Sequence, residues 1–117
     1  MTDAADGDRT AVVRRYYEAI DGDDYDALRA LVADEFVHDR PDRTVDGGEA
    51  FVRFMRERRP LSDTTHVVDA VLVARDAPEA AAHGRLCAAD GEELFAFVDV
   101  FGFDADGDVA SLRTFTR

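Results

Sequence analysis

The sequence predicts an α+β fold in which helices come first and an antiparallel sheet follows. Three observations support this prediction. Apolar residues recur at helical spacing in the first half, alternate with polar residues in the second half, and Asp90-Gly91 and Asp106-Gly107 are typical of hairpin turns. We therefore expect about three helices packed on one face of a curved sheet. The helices and the sheet are expected to form a single domain over residues 9–117, which follows an acidic, flexible N-terminus at residues 1–8.

The first two helices are predicted from apolar spacing and from the residues between them. The apolar face of the first comprises Val12, Val13, Tyr16, Tyr17 and Ile20. Asp21-Gly22-Asp23-Asp24 ends this helix, and Asp24 is a suitable N-cap for the next one. The inner face of the second helix comprises Tyr25, Leu28, Leu31 and Val32.

The third helix follows an extended segment. Residues 36–41 leave the second helix, and Arg40 is biased towards extended backbone because it precedes Pro41. The third helix is expected to start near Gly48 and to end at Pro60. Its apolar face comprises Phe51, Val52, Phe54 and Met55.

The most informative residue lies in the third of four predicted strands, which cover residues 64–73, 79–88, 94–103 and 109–116. Successive side chains of a strand point to opposite faces, so Asp99 shares its face with four aromatic rings. These are Phe95, Phe97, Phe101 and Phe103. An ionised, unpaired carboxylate is costly in such surroundings, so Asp99 is expected to be protonated, paired or functional. This predicts a pocket that carries chemistry.

Counting from the second hairpin turn identifies one neighbour of this carboxyl. A two-residue turn at Asp106-Gly107 places Thr114 opposite Asp99. Leu112 and Thr116 then lie on the same face, opposite Phe101 and Phe97. The pocket is therefore expected to contain side chains of the last strand.

The first hairpin turn leaves two alternatives for His83. A two-residue turn at Asp90-Gly91 places Ala82 opposite Asp99 and turns His83 to the other face. A three-residue loop with Gly91 left-handed would instead bring His83 towards the pocket. The sequence alone does not decide between these two loop lengths.

The charge of the chain excludes some partners. The net charge is −12 and the pI about 4.4, which argues against binding to nucleic acid or to anionic membranes. Asp outnumbers Glu, and every positive side chain is Arg. Such a surface indicates a protein that works in concentrated salt, although drift in a GC-rich genome would also replace Lys by Arg.

The location is expected to be the cytoplasm. The single cysteine, Cys87, allows no internal disulfide and fits a reducing compartment. The N-terminus lacks the basic start and apolar core of a signal peptide, and no apolar run reaches membrane-spanning length.

A second polar cluster, residues 38–43, follows the second helix. A functional interpretation makes His38 or Asp39 a proton acceptor and Arg40 a clamp for an anionic group. The alternative is a loop of Arg–Asp ion pairs. Histidine and carboxylates could also bind a divalent metal, but this spacing is unspecific and we predict no metal site.

Several strings, in this order and spacing, resemble the nuclear transport factor 2-like superfamily. The resemblance is closest to ketosteroid isomerase and to SnoaL-like polyketide cyclases. The matching strings are residues 10–16, 24–28, 33–35, 98–103 and 106–109. The resemblance implies a cone-shaped, curved antiparallel sheet whose helices enclose an apolar pocket, usually in a homodimer.

The resemblance also implies roles for individual residues. Tyr16 matches the oxyanion-hole tyrosine of ketosteroid isomerase, and Asp99 matches the protonated aspartic acid beside that tyrosine. Ketosteroid isomerase is a standard example of how a protein tunes the pKa of a carboxyl group. Asp99 also matches the acid/base aspartate of SnoaL-like cyclases. The general base of the isomerase precedes a proline, and here Arg40 stands before Pro41. This departure argues against ketosteroid isomerisation itself.

Three functions are compatible with these expectations. The first is a cofactor-free isomerase or cyclase that transfers a proton next to a carbonyl, with Tyr16, Asp99, His38 and Asp39 as candidate catalytic residues. The others are a non-catalytic ligand-binding module and a structural dimer whose pocket is filled by its own side chains. The expected ligand is a small apolar or aromatic carbonyl-type compound. The residues expected to bind it are Arg40, Phe54, Met55, Phe97, Phe101, Leu112 and Thr114.

Overall fold

Three helices and six strands make up the fold. The computed structural model describes residues 3–58 and 63–117. The elements in chain order are α1 (Asp3–Asp21), α2 (Tyr25–Leu31), β1 (Val32–Asp39), β2 (Thr44–Asp46), α3 (Gly48–Glu57), β3 (Thr65–Val73), β4 (Glu79–Cys87), β5 (Glu93–Phe103) and β6 (Val109–Thr116). Within these described ranges, no helix is both long and apolar enough to cross a membrane. The predicted α+β class is confirmed.

The six strands form one open sheet in the order β2-β1-β6-β5-β4-β3. β3 to β6 form the predicted antiparallel meander, but β1 runs parallel to β6. The expectation of a wholly antiparallel sheet is therefore wrong, because the segment that leaves the second helix is itself a strand. Its burial does not alternate cleanly, since the β1–β6 register shifts between Val32 and Val37.

The helices cover the concave face of this sheet, and the core lies between them. α2 begins at its predicted N-cap, where Asp24 Oδ1 accepts a hydrogen bond from the Ala27 amide at 3.1 Å. α1 continues back to Asp3, so residues 3–8 of the expected flexible terminus are helical, and residues 1 and 2 lie outside the described residues. α3 ends at Glu57; its predicted end at Pro60 also lies outside the described residues.

Both hairpins use longer turns than the simplest count assumes. Backbone hydrogen bonds close three-residue loops between Ala88 and Glu92 and between Asp104 and Asp108, with Gly91 and Gly107 at positive φ. Each loop moves the register by one residue, and a β-bulge then moves it back. The bulges are at Leu94 and Ala110, the two positions that the ladders skip.

Because these two shifts cancel, the register around the polar core residue is the predicted one. Asp99 lies opposite both Ala82 and Thr114. His83 is exposed on the outer face, although Gly91 is left-handed. Loop length alone therefore did not determine which face His83 occupies.

Gly84 allows two strands to pass closely, and this provides a test of the packing. A Cβ at Gly84 would lie 2.0 Å from the backbone oxygen of Val67, whereas one at Gly102 would meet only the rotatable Ser111 hydroxyl, at 2.5 Å. We expect Gly84→Ala to lower the free energy of unfolding by about 1–3 kcal/mol, in the range of overpacked cores, and Gly102→Ala to leave it nearly unchanged. Urea unfolding of both variants measures the difference, and equal effects would contradict this account.

Candidate functional site

A cavity of about 360 Å³ opens between the helices and the concave face of the sheet. This volume is at the lower end of the roughly 300–1,000 Å³ of small-molecule sites, so it fits a compact ligand. Its wall combines apolar side chains with a few polar groups. They are Tyr16, Ile20, His38, Arg40, Pro41, Asp42, Met55, Thr64, His66, Leu86, Phe95, Phe97, Asp99, Thr114 and Thr116.

The Asp99 carboxyl is the most deeply buried acid on this wall, with 5% of the residue exposed. Two hydroxyl groups donate to it: Tyr17 Oη to Oδ2 and Thr114 Oγ1 to Oδ1, each at 2.6 Å. Burial raises the pKa of Asp99 above its usual range, although both hydrogen bonds and the nearby His66 and Arg40 act to lower it. Asp99 is therefore a carboxyl that can hold a proton inside an apolar cavity.

His38 extends this arrangement on the next strand. Its Nε2 lies 2.8 Å from Thr114 Oγ1, and the residue is 2% exposed. Burial, and secondarily the charge of Arg40, lowers the pKa of His38 to about 3, so the ring is neutral at physiological pH. Within residues 3–58 and 63–117, Nδ1 has no hydrogen-bond partner. We refer to Tyr17, Asp99, Thr114 and His38 together as the Asp99 network.

The tyrosine bonded to Asp99 is Tyr17 rather than Tyr16. Both side chains are buried, at 3% exposure, because both belong to the inner face of α1. Tyr16 lines the cavity and packs edge-on against Phe101. Burial and then the charge of Asp99 raise the pKa of Tyr17 well above its usual range, so its hydroxyl remains a donor. Helical spacing places both tyrosines inward and does not distinguish them.

A second histidine of the cavity wall, His66 on β3, was not identified from the sequence. Its Nδ1 is 2.7 Å from Asp21 Oδ1, and its backbone amide donates to Asp21 Oδ2 at 2.9 Å. Asp21 thus fixes the ring and favours the tautomer that carries the proton on Nδ1. Nε2 is then left with its lone pair. No local spacing indicates this contact, because Asp21 and His66 are 45 residues apart in sequence.

Of the predicted polar cluster, His38 and Arg40 reach the cavity but Asp39 does not. Asp39 is exposed on the other face of β1, where Thr44 Oγ1 donates to its Oδ1 at 3.3 Å. Its assignment as a pocket base is therefore wrong, because neighbours in a strand face opposite sides. Arg40 lines the cavity and donates through Nε to Asp42 at 3.0 Å.

The predicted apolar wall is only partly correct. Met55, Phe97 and Thr114 line the cavity, as expected. Phe101 and Leu112 face each other across β5 and β6 and are 0% exposed, so they form the core beneath the cavity rather than its wall. Phe54 is also outside the wall, where the guanidinium groups of Arg40 and Arg43 cover its ring at 4.9 and 5.1 Å.

The side chains considered for a divalent metal, His38, Asp39 and Asp42, do not converge in the structure. Within residues 3–58 and 63–117, no group of three or more His, Cys, Asp or Glu side chains could hold an ion. His38 and Asp39 point to opposite faces of β1, so they cannot combine with Asp42. The cavity wall itself supplies hydroxyl, carboxyl and imidazole groups.

The raised pKa of Asp99 makes its contribution to stability dependent on pH. The native state holds the Asp99 proton more tightly than the unfolded state, so this contribution is complete below the usual carboxyl pKa and is lost as pH rises through the native value. We expect Asp99→Asn to gain stability relative to the wild type with rising pH, by about 1.4 kcal/mol per pKa unit of the shift.

Urea unfolding at constant salt between acidic and mildly alkaline pH measures this difference. Asp39→Asn, which removes an exposed carboxyl next to the same site, should show no comparable trend. A wild type that gains stability over Asp99→Asn as pH rises would contradict the prediction.

Solved structures share this fold. A candidate isomerase of the SnoaL-like family from Agrobacterium tumefaciens superposes with a TM-score of 0.80 at 15% identity, covering 95% of this chain and 98% of that one. A candidate ketosteroid isomerase from Kribbella flavida gives 0.74 at 23% identity, covering 95% and 78%. A candidate SnoaL-like polyketide cyclase from Jannaschia sp. CCS1 gives 0.78 at 20% identity, covering 95% and 86%. At these identities the likeness shows the fold alone.

Sequence comparison identifies the family. No curated protein is matched by the chain. The profile of the SnoaL-like domain matches residues 13–112, which extend from α1 into β6 and include the cavity-lining groups Tyr16, His38, His66 and Asp99. The chain therefore belongs to the SnoaL-like domain family and has the cone-shaped fold of the nuclear transport factor 2-like superfamily.

Proposed function

We propose that the cavity binds a compact apolar or aromatic carbonyl-type ligand and transfers a proton next to its carbonyl group, without a cofactor. The observation that carries this proposal is the buried Asp99 carboxyl, which lines the cavity and accepts hydrogen bonds from two hydroxyl groups. The SnoaL-like isomerase and cyclase names of structurally similar proteins agree with this reaction class.

Asp99 would act on the carbonyl oxygen. A protonated carboxyl in an apolar site donates a strong hydrogen bond to an oxygen that becomes negative, which stabilises an enolate or phenolate. Each carboxyl oxygen has more than one hydrogen-bonding position, so the bonds from Tyr17 and Thr114 leave room for a ligand. These two residues would hold the carboxyl in place.

His66 would accept the proton from the carbon next to the carbonyl. Asp21 holds its Nδ1 at 2.7 Å, which leaves Nε2 as the basic nitrogen on a residue of the cavity wall. His38 is less suited to this role because its pKa is lowered to about 3. Asp39 lies outside the cavity, and Arg40 occupies the position before Pro41. Arg40 would instead contact a polar group of the ligand at the cavity wall.

A non-catalytic binding module is the second candidate. The observation that favours it is Arg40 before Pro41, where the resemblance implies a catalytic base. A structural dimer with a filled pocket is disfavoured, because a cavity of about 360 Å³ is present.

A thermal-shift screen of phenols, enolate mimics and small cyclic ketones in molar KCl tests the binding step. A compound at a hundredfold excess over its Kd should add about 2.7 kcal/mol of stability. We expect the stabilisation to disappear in Asp99→Leu and to persist in Asp39→Asn, the matched control outside the cavity. Compounds that stabilise both variants equally, or no stabilising compound at all, would contradict the proposal.

The same compounds separate catalysis from binding. Ketones that bind should exchange their α-hydrogens with D₂O faster in the presence of the wild type, as NMR measures. His66→Gln should lose this acceleration and keep the thermal shift. Binding without exchange in the wild type would favour the non-catalytic module.

We propose further that the chain forms a homodimer through the outer face of the sheet. Val98 and Phe115 are neighbours across β5 and β6, and they are 42% and 53% exposed. Leu72, on the edge strand β3, is 57% exposed. Large apolar side chains grouped on one face are typical of an interaction surface.

Charge introduced on this face should separate the subunits. We expect Val98→Arg to sediment as a monomer in molar KCl, while the wild type and Ala30→Arg, on the exposed side of α2, sediment as dimers. Analytical ultracentrifugation measures the masses. A dimer that persists in Val98→Arg would place the contact elsewhere.

The proposed working environment is a cytoplasm rich in salt. The net charge of −12 and the absence of lysine support it, because concentrated salt screens repulsion among exposed carboxylates. This is the reason for molar KCl in the experiments above.

A further inference from the structure

The hydroxyl of Thr114 lies between two groups that can each carry a proton. Its Oγ1 is 2.6 Å from Asp99 Oδ1 and 2.8 Å from His38 Nε2. A hydroxyl has one hydrogen, so it can donate to only one of these neighbours and must accept from the other. The two hydrogen bonds therefore have a common direction.

The direction depends on which group holds a proton. When Asp99 is ionised, Thr114 donates to Oδ1 and His38 donates from Nε2 to Thr114, which leaves Nδ1 without a proton. When Asp99 carries a proton on Oδ1 in the ligand-free protein, it donates to Thr114, and Thr114 donates to His38 Nε2. The neutral His38 ring then carries its proton on Nδ1.

We propose that Thr114 couples Asp99 to His38, so that protonation of Asp99 reverses both hydrogen bonds and moves the His38 proton from Nε2 to Nδ1. One proton is taken up from water in this change, and the net charge of the pair rises from −1 to 0. In this coupling His38 and Thr114 are positioning residues, because they orient the proton of the Asp99 carboxyl.

Tyr17 is the competing partner, and the geometry disfavours it. For Asp99 to donate from Oδ2 to Tyr17, the phenol would have to direct its hydrogen elsewhere. Tyr17 is 3% exposed, and the structure gives its hydroxyl no other acceptor within residues 3–58 and 63–117. Reversal at Thr114 keeps all three hydrogen bonds of the Asp99 network, whereas reversal at Tyr17 loses one buried bond.

The surrounding charges define where the change should occur. Arg40 after β1, and His66 of β3 when its ring is protonated, favour the ionised form of Asp99, while burial favours the protonated form more strongly. Arg40 and Asp42 act on His38 in opposite senses, and burial keeps its ring neutral. The tautomer change should therefore follow the titration of Asp99, at a pH above the usual range of a carboxyl.

Two-bond ¹H–¹⁵N spectra of histidine-labelled protein in KCl test this coupling without a ligand, because they distinguish a protonated ring nitrogen from an unprotonated one. His66→Gln and His83→Gln assign the three rings. In the wild type, we expect the proton of His38 on Nε2 at high pH and on Nδ1 at low pH. A ring that keeps Nε2–H throughout, or that becomes doubly protonated instead, would overturn the proposal.

Variants test the coupling even if Asp99 titrates outside the pH range in which the protein stays folded. In Asp99→Asn, the amide carbonyl accepts from Tyr17 and the NH₂ group donates to Thr114, so His38 should carry its proton on Nδ1 at every pH. Thr114→Ser should retain the change with pH, and Thr114→Val should lose it. Thr116→Val, which removes a second cavity hydroxyl of β6, should leave it intact.

Two further outcomes would overturn the coupling. One is Asp99→Asn with the His38 proton still on Nε2, and the other is loss of the pH response in Tyr17→Phe. Any role of this coupling in catalysis rests on the proposed function. The coupling is nevertheless measured on the free protein, so a negative ligand screen leaves it standing, and an absent coupling leaves ligand binding standing.

Discussion

A carboxyl group buried inside an apolar cavity imposes demands on every element around it. Asp99 has almost no contact with water, so the protein must supply its hydrogen bonds. α1 supplies Tyr17 and β6 supplies Thr114, each at 2.6 Å. The orientation of α1 and the register of β6 are thus tied to one polar group. A slip of β6 by one residue would replace the Thr114 hydroxyl by a side chain of the other face.

The same demands explain why the deep core and the cavity are separate. Phe101 and Leu112 lie on the sheet beneath the cavity, where they are completely buried and pack in the core. Phe97, Met55 and Tyr16 border the cavity and leave space in front of Asp99. A site that only stored a buried acid would be more stable if this space were filled. An open cavity next to an acid with a raised pKa is instead what binding and proton transfer require.

Much of this arrangement could be predicted from the sequence, because the strands of the meander have period 2 and two of its three turns are marked by Asp-Gly. The sequence pairs Asp99 with Thr114 correctly although it assumes a two-residue turn at Asp106-Gly107, since the bulge at Ala110 compensates for the longer loop. The burial constraint on the phenylalanine face fixes the register more firmly than the loops do. β1 could not be recognised in this way, because its partner β6 is distant in sequence and its burial pattern is irregular.

The parts of the site that the sequence did not reveal depend on one turn of α1. Tyr17 and Asp21 are four residues apart, so they lie on the same side of the helix. Tyr17 bonds to Asp99 on β5, and Asp21 bonds to His66 on β3, while the Tyr17 ring lies 5.1 Å from the His66 ring.

One turn of α1 therefore contacts both the candidate acid and the candidate base. Because a single helix contacts both groups, their relative position depends on where α1 packs against the sheet. The base need not come from the segment before Pro41, because α1 already orients a histidine towards the same cavity.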